Sequence, residues 1–218
     1  MSTSYLPRSS FPPVVRALLI ANGIAYLIQV LQPGLLEWWL ALWPLDAPEY
    51  ARGYGAMPQF EIWQVVSYGF LHGGFTHLFF NMFALWMFGS AIEQAWGSKR
   101  FAQYYFVCVI GAALVQLAVV STPAGGLPVP TVGASGGVFG LLLAFGMTYP
   151  NRVIMLLVPP IPMKAKYFVL IYGGLELLFG VSGPSDGIAH FAHLGGMAFG
   201  FALIQYWLYS GRARRDRQ

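Results

Sequence analysis

Six stretches of this chain, at 14–32, 75–96, 101–121, 134–149, 166–181 and 189–209, are apolar and carry two formal charges at most. Runs of that length need a solvent other than water on their outer faces. The whole 218-residue chain is 57% hydrophobic and only 9% charged, against about 25% charged residues in a soluble domain. Too little polar surface remains to face water all round, so the expected fold class is an all-α polytopic membrane protein with six transmembrane helices. The uncharged part of the first run begins after Arg16 and lacks an A-x-A-like exit, so it reads as a span and not as a cleavable signal peptide.

The fourth and fifth runs are short. At about 1.5 Å of rise per residue, sixteen residues reach only about 24 Å of a hydrocarbon core about 30 Å thick. The fourth helix is therefore expected to start buried, below the surface, with protein sheltering its end. The expected organisation is a cytoplasmic N-terminal segment at 1–13, a transmembrane domain at 14–210 and a basic tail at 211–218.

Charge placement sets the expected orientation. With both termini in the cytoplasm, Arg8, Arg16, Lys99, Arg100, Arg152, Lys164, Lys166, Arg212, Arg214, Arg215 and Arg217 fall inside, and of the 12 basic residues only Arg52 falls outside. That asymmetry follows the positive-inside rule. The net charge of +4 thus reads as a topology signal, and no nucleic-acid partner is expected. The lone cysteine, Cys108, lies in an apolar run and permits no intrachain disulfide.

The long first loop, 33–74, carries Trp38, Trp39, Trp43 and Trp63, and indole rings favour the outer headgroup layer; a packed helical hairpin is the alternative. The loops at 122–133 and 182–188 are rich in helix breakers. The segment 153–162 is apolar, ends in prolines and is too short to span.

Polar groups inside spans point to function. His72, His77, His190 and His193 all lie in or at the outer ends of spans, with Asn81 and Ser135. Counting from inner ends at Gly97, Pro150 and Ser210, Asn81, Ser135 and His193 lie at depths of about 24, 22 and 25 Å. Three spans therefore bring polar groups to one layer below the outer surface. His77 precedes Asn81 by four residues and shares its helix face. Ser135 stands where a Gly/Pro-rich loop becomes a helix. The bland reading of such a serine is an N-cap; Gly133, Gly136 and Gly137 favour a hydroxyl open to another chain. Gly196 and Gly200 form a GxxxG pair that lets helices pack closely and could bring His193 to the serine. A histidine bonded to a neighbouring helix is the bland alternative there. No Asp or Glu is evident to orient His193, so a Ser–His dyad is expected. Glu93, near Lys99 and Arg100, is expected to pair with them; Glu176 has no evident partner.

Three motifs, G-A-S-G at 133–136, H-L-F-F-N at 77–81 and A-H-L-G-G-M-A-F-G at 192–200, together resemble those of the rhomboid intramembrane serine proteases in their bacterial six-span form. W-Q-V-V-S-Y-G-F-L-H-G-G-F at 63–75 looks like the end of their first loop, with Gln64 where many members have Arg. The resemblance covers roughly 60–210. It implies Ser135 as nucleophile, His193 as general base, and an oxyanion hole of His77, Asn81 and the Ser135 backbone N–H. It implies that Gly133, Gly136, Gly196 and Gly200 serve close packing, and that Phe139, where many members have Tyr, packs on the histidine. It further implies residence in the cytoplasmic membrane, membrane-protein substrates with a helix-weakened transmembrane segment, a cavity open to the outer side, and no cofactor. A non-catalytic rhomboid-like binding or chaperone protein is the competing reading. A transporter would need two-half symmetry, which the sequence lacks. A metal enzyme would need ligands such as H-E-x-x-H with a nearby carboxylate, so no metal is expected.

Overall fold

A computed structural model describes residues 11–47, 49–51, 55–119, 128–155, 160–182 and 189–215, with side chains of 50, 51 and 211–215 left aside. The breaker-rich loop centres at 120–127 and 183–188, and most of the terminal segments, lie outside the described residues, as does Arg52.

Helix α1 (Pro13–Leu31) is followed by a short α2 (Leu35–Leu40), a two-residue ribbon of β1 (Tyr50–Ala51) and β2 (Gly55–Ala56), and α3 (Gln64–Ser67) with a 3-10 turn at Tyr68–Phe70. The next span is α4 (Phe75–Ala84), a π-helical turn at Leu85–Gly89 and α5 (Ser90–Trp96). Then come α6 (Ser98–Val119), α7 (Ser135–Thr148), a small antiparallel hairpin of β3 (Val153–Met155) and β4 (Pro162–Lys164), α8 (Ala165–Ser182) and α9 (His190–Arg215). The two ends of the apolar stretch 153–162 thus meet in a small ribbon, Ile154 opposite Met163; residues 156–159 lie outside the described residues.

Among the described residues, four segments are long and apolar enough to cross a membrane: Pro13–Leu31, Phe75–Trp96, Ser98–Val119 and Ala165–Ser182. This is an integral membrane protein with several apolar spans. The expected fourth and sixth spans differ from these. Helix α7 has only 14 residues and is nearly wholly buried. It lies among α6, α8, α9 and the π turn, which is the protein shelter a short span requires. Helix α9 is long, at 26 residues, but two histidines and a polar end dilute its apolar character.

Helices α6, α7 and α9 form the packed centre. Tyr104 of α6 donates through its hydroxyl to the Gly140 carbonyl of α7 at 2.8 Å, and Tyr68 donates to the Val109 carbonyl at 2.8 Å. Such bonds satisfy buried hydroxyls where no water competes. Around this centre, Ile24, Leu114, Leu170, Leu178 and Tyr206 stand exposed on helix faces, as lipid-facing side chains do.

Glu93 does not pair with Lys99 or Arg100 as expected. It is buried and caps a helix: its carboxylate accepts the backbone N–H groups of Val14 at 3.0 Å and Val15 at 2.8 Å, and the Ser98 hydroxyl at 2.6 Å. An acid suits the free N–H groups and positive dipole of the α1 start. Glu93→Ala should lower stability by about 1–3 kcal/mol, the loss expected when buried donors go unsatisfied. Thermal unfolding in detergent measures this, and an unchanged midpoint would contradict the assignment.

The first loop is partly a surface element. Trp38, Trp39 and Trp63 are exposed, and the Trp63 indole donates to the Trp39 carbonyl at 2.9 Å. Trp43 departs from the interfacial reading: it is buried with Ala41 and Leu71. That loop also holds the chain leading into α7. Leu42 and Thr131 exchange both backbone hydrogen bonds, at 3.0 and 2.9 Å, and Gly133 N–H donates to the Tyr68 carbonyl at 3.0 Å.

Candidate active site

Ser135 is the first residue of α7, but it does not cap that helix. The N-cap position is Ala134, and the Ser135 Oγ instead lies 2.8 Å from Nε2 of His193 on α9. The ring of Phe139, one turn into α7, lies parallel to the His193 imidazole at 4.2 Å, with 8° between the planes. Ring, hydroxyl and helix packing thus confine the imidazole.

Gly196 and Gly136 make that meeting of helices achievable. A Cβ on Gly196 would overlap the Gly136 carbonyl oxygen, so the two backbones touch where α9 crosses α7. Gly136 in turn faces Ala112 of α6. Gly200, one turn beyond Gly196, serves packing against the third span: a Cβ there would stand closest to Tyr104 and Cys108 of α6, since α9 packs on both α6 and α7.

His77 on α4 approaches from the other side. Its Nδ1 accepts the Gly73 N–H at 3.3 Å, which assigns the ring proton to Nε2 in the neutral form. That Nε2 faces Gly133, whose φ of 132° suits only glycine and whose Cβ, if present, would stand 2.9 Å from His77 Nε2 and 3.5 Å from Ser135 Oγ. A donor and the serine oxygen therefore flank one small space. Asn81 is buried one turn further along α4 and donates from Nδ2 to the His77 carbonyl at 2.9 Å. The amide has a second N–H, and Asn81, His77, Ser135 and His193 all line one cavity.

The cavity measures about 1120 Å³, slightly larger than ordinary ligand sites. Its wall is largely apolar: Phe79, Phe80 and Phe83 on α4, Met87 and Phe88 on the π turn, and Phe168 and Tyr172 on α8. Gln116 and Thr131 add a polar edge, joined by a bond from Gln116 Nε2 to Thr131 Oγ1 at 3.2 Å. Sequence reasoning missed Gln116; its signal was a second glutamine, in addition to Gln103, in the mainly apolar third run.

His72 sits behind this arrangement. Its N–H and carbonyl bond to the Gln29 side chain at 3.0 and 3.2 Å, and its ring meets His77 edge-on at 5.1 Å. Burial, and then the neighbouring His77, push its pKa down to about 4, so at neutral pH it is an uncharged brace for the loop before α4.

The expectation of no carboxylate near His193 fails. Glu176 of α8 places Oε2 2.9 Å from His193 Nδ1 and 2.6 Å from His190 Nδ1. The fifth and sixth runs supply these residues separately, and sequence spacing does not reveal which face of one helix meets the other. Glu176, His190 and His193 are residue types that bind metals. Their 2.6 and 2.9 Å separations are hydrogen-bond distances, whereas ligands about 2.0–2.1 Å from a tetrahedral zinc stand about 3.3 Å apart. The cluster is therefore spaced as an acid with two histidines.

A serine and a histidine thus lie within hydrogen-bond distance at the wall of a largely apolar cavity in a helical membrane protein. The sequence comparisons then give the family. The model of the Rhomboid domain matches residues 59–210, and this chain belongs to the rhomboid family. It is 28% identical to Rhomboid protease GlpG of Serratia proteamaculans over 217 residues, 98% of this chain and 70% of that protein. It is 32% identical over 152 residues to Rhomboid protease GluP of Bacillus subtilis, and 30% identical over 161 residues to the mitochondrial Rhomboid protein 1 of Saccharomyces cerevisiae. The matches cover 69% and 71% of this chain but only 27% and 44% of those two longer proteins.

Proposed function

We propose that this chain is an intramembrane serine endopeptidase that cleaves membrane proteins at helix-weakened transmembrane segments. The observation that carries the proposal is the 2.8 Å approach of Ser135 Oγ to His193 Nε2 at the wall of a large apolar cavity. Ser135 donates its proton to His193 as Oγ attacks the scissile carbonyl carbon. The developing oxyanion takes hydrogen bonds from His77 Nε2–H, the second Asn81 N–H and the Ser135 backbone N–H, the last aided by the α7 dipole. His193 then passes the proton to the leaving amine, and water repeats the attack on the acyl-enzyme. No cofactor enters these steps. A transmembrane substrate hides its carbonyls in helical bonds, so residues that weaken a helix favour exposure of the cut site. The space bounded by α4 and α8 is the berth for that unwound strand.

The proposed setting is a bacterial cytoplasmic membrane, with termini inside and the site open to the outer side. Helix ends support this. The Arg100 guanidinium lies 5.8 Å from the Trp207 ring centre, and Glu93 meets Val14 and Val15. The starts of α1 and α6 and the end of α9 therefore share one face, remote from Ser135. The proposed division of the chain remains 1–13, 14–210 and 211–218.

Reconstitution with a single-span reporter tests the function. Vesicles should yield two fragments, faster with a Gly- or Pro-containing span than with a Leu-rich one. Intact reporter that remains bound would favour the non-catalytic reading. In the same assay Asn81→Ala should lower kcat by on the order of 10²–10³, the usual loss of one oxyanion donor. An undiminished rate would remove Asn81 from the site.

A further inference from the structure

We infer that Glu176 is a positioning residue for His193, making the pair of the proposed mechanism an acid-supported Ser135–His193–Glu176 arrangement assembled from three helices. The inference rests on the serine-hydrolase reading. For His193 Nε2 to accept the Ser135 proton, the neutral ring must carry its own proton on Nδ1. That Nδ1–H is buried and needs an acceptor. Among the described residues, Glu176 Oε2 at 2.9 Å is the carboxylate oxygen in reach. The oxygen lies off the ring N–H direction, so the Nδ1 atom has distance without alignment. The His190 contact to the same oxygen, at 2.6 Å, is aligned. One carboxylate oxygen has two lone pairs and can take both ring protons after a small rotation. His190 thereby fixes the carboxylate, and the carboxylate fixes the tautomer and steadies the imidazolium that forms as Ser135 attacks.

The placement carries a second consequence. Ser135 is on α7, His193 on α9 and Glu176 on α8, the helix whose Phe168 and Tyr172 form one wall of the cavity. The group that orients the base therefore rides on a wall of the substrate berth. The shape of that wall and the readiness of the base are set by one helix.

The test uses the full chain in vesicles of phosphatidylcholine and phosphatidylglycerol, with a fluorescent fluorophosphonate as probe. Rates at several probe concentrations separate the first-order labelling constant from apparent probe affinity. Wild type should label and Ser135→Ala should not. Glu176→Gln, which keeps the shape and removes the charge, should lower the first-order constant about 10- to 100-fold, with probe affinity and thermal midpoint unchanged. The figure is below the roughly 10⁴-fold loss for the acid of a full triad, because here one oxygen serves two histidines. Glu176→Asp should recover part of the constant. Nitrogen-15 spectra of labelled histidines read the tautomer independently of reactivity: His193 should carry its proton on Nδ1 in wild type and lose that preference in Glu176→Met. Labelling of Glu176→Gln at the wild-type constant overturns the inference, as does a loss matched by falling affinity or stability. An unchanged tautomer in Glu176→Met also overturns it. Failure of wild type to label at all instead defeats the hydrolase reading, and the nitrogen spectra still decide whether Glu176 sets the tautomer.

Discussion

Ser135→Ala should reduce cleavage of a transmembrane reporter to the rate seen without enzyme, a loss on the order of 10⁴–10⁶. The hydroxyl is the only atom removed, and its contact with His193 Nε2 is its evident role, since Ala134 and not Ser135 occupies the helix cap. The variant should therefore fold with an unchanged thermal midpoint. His193→Ala should lose nearly as much, and the double variant should be no worse than either alone. Groups acting as one unit give such non-additive losses. Quantifying both fragments over long incubations checks this. A residual rate within tenfold of wild type in Ser135→Ala would show that another group attacks the substrate.

Gly196→Ala has the second-largest expected effect, by a different route. The added methyl would overlap the carbonyl oxygen of Gly136, a backbone atom that no rotamer change can move. Either α9 or α7 must shift, and overpacking of this kind costs about 1–3 kcal/mol or more. The same crossing delivers His193 to Ser135. A displacement of 1 Å can cost about 10²-fold in rate, so activity should fall at least that far even where the protein still folds. Gly174→Ala is the control. Nothing stands within 4 Å of a Cβ built there, so it should keep full activity and a melting point at or above that of wild type. Parallel melting curves and cleavage rates decide the matter; equal behaviour of the two variants would contradict the close approach of α7 and α9.

Much of the fold was legible because lipid imposes length and apolarity on each span. The second run, read as 75–96, coincides with the segment Phe75–Trp96. The first, fourth and fifth runs differ from their helices by a residue at each end. The layer shared by Asn81, Ser135 and His193 was legible because rise per residue converts sequence distance into depth. What escaped was lateral. Depth says nothing of which helix face meets which neighbour, so Glu176 lacked a visible partner. Glu93 escaped for a related reason. Its partners are backbone N–H groups of α1, some 78 residues away, and backbone donors carry no sequence signature. Trp43 followed its composition to the interface, whereas packing against Ala41 and Leu71 takes it inside.

Ser135, activated by His193, is the proposed nucleophile. Mass spectrometry after fluorophosphonate treatment of the reconstituted protein tests it most directly. A single phosphonylated peptide should appear, with the adduct on Ser135, absent from Ser135→Ala and strongly reduced in His193→Ala. An adduct on any other residue, or none on protein whose folded state is verified by its melting transition, would contradict that role.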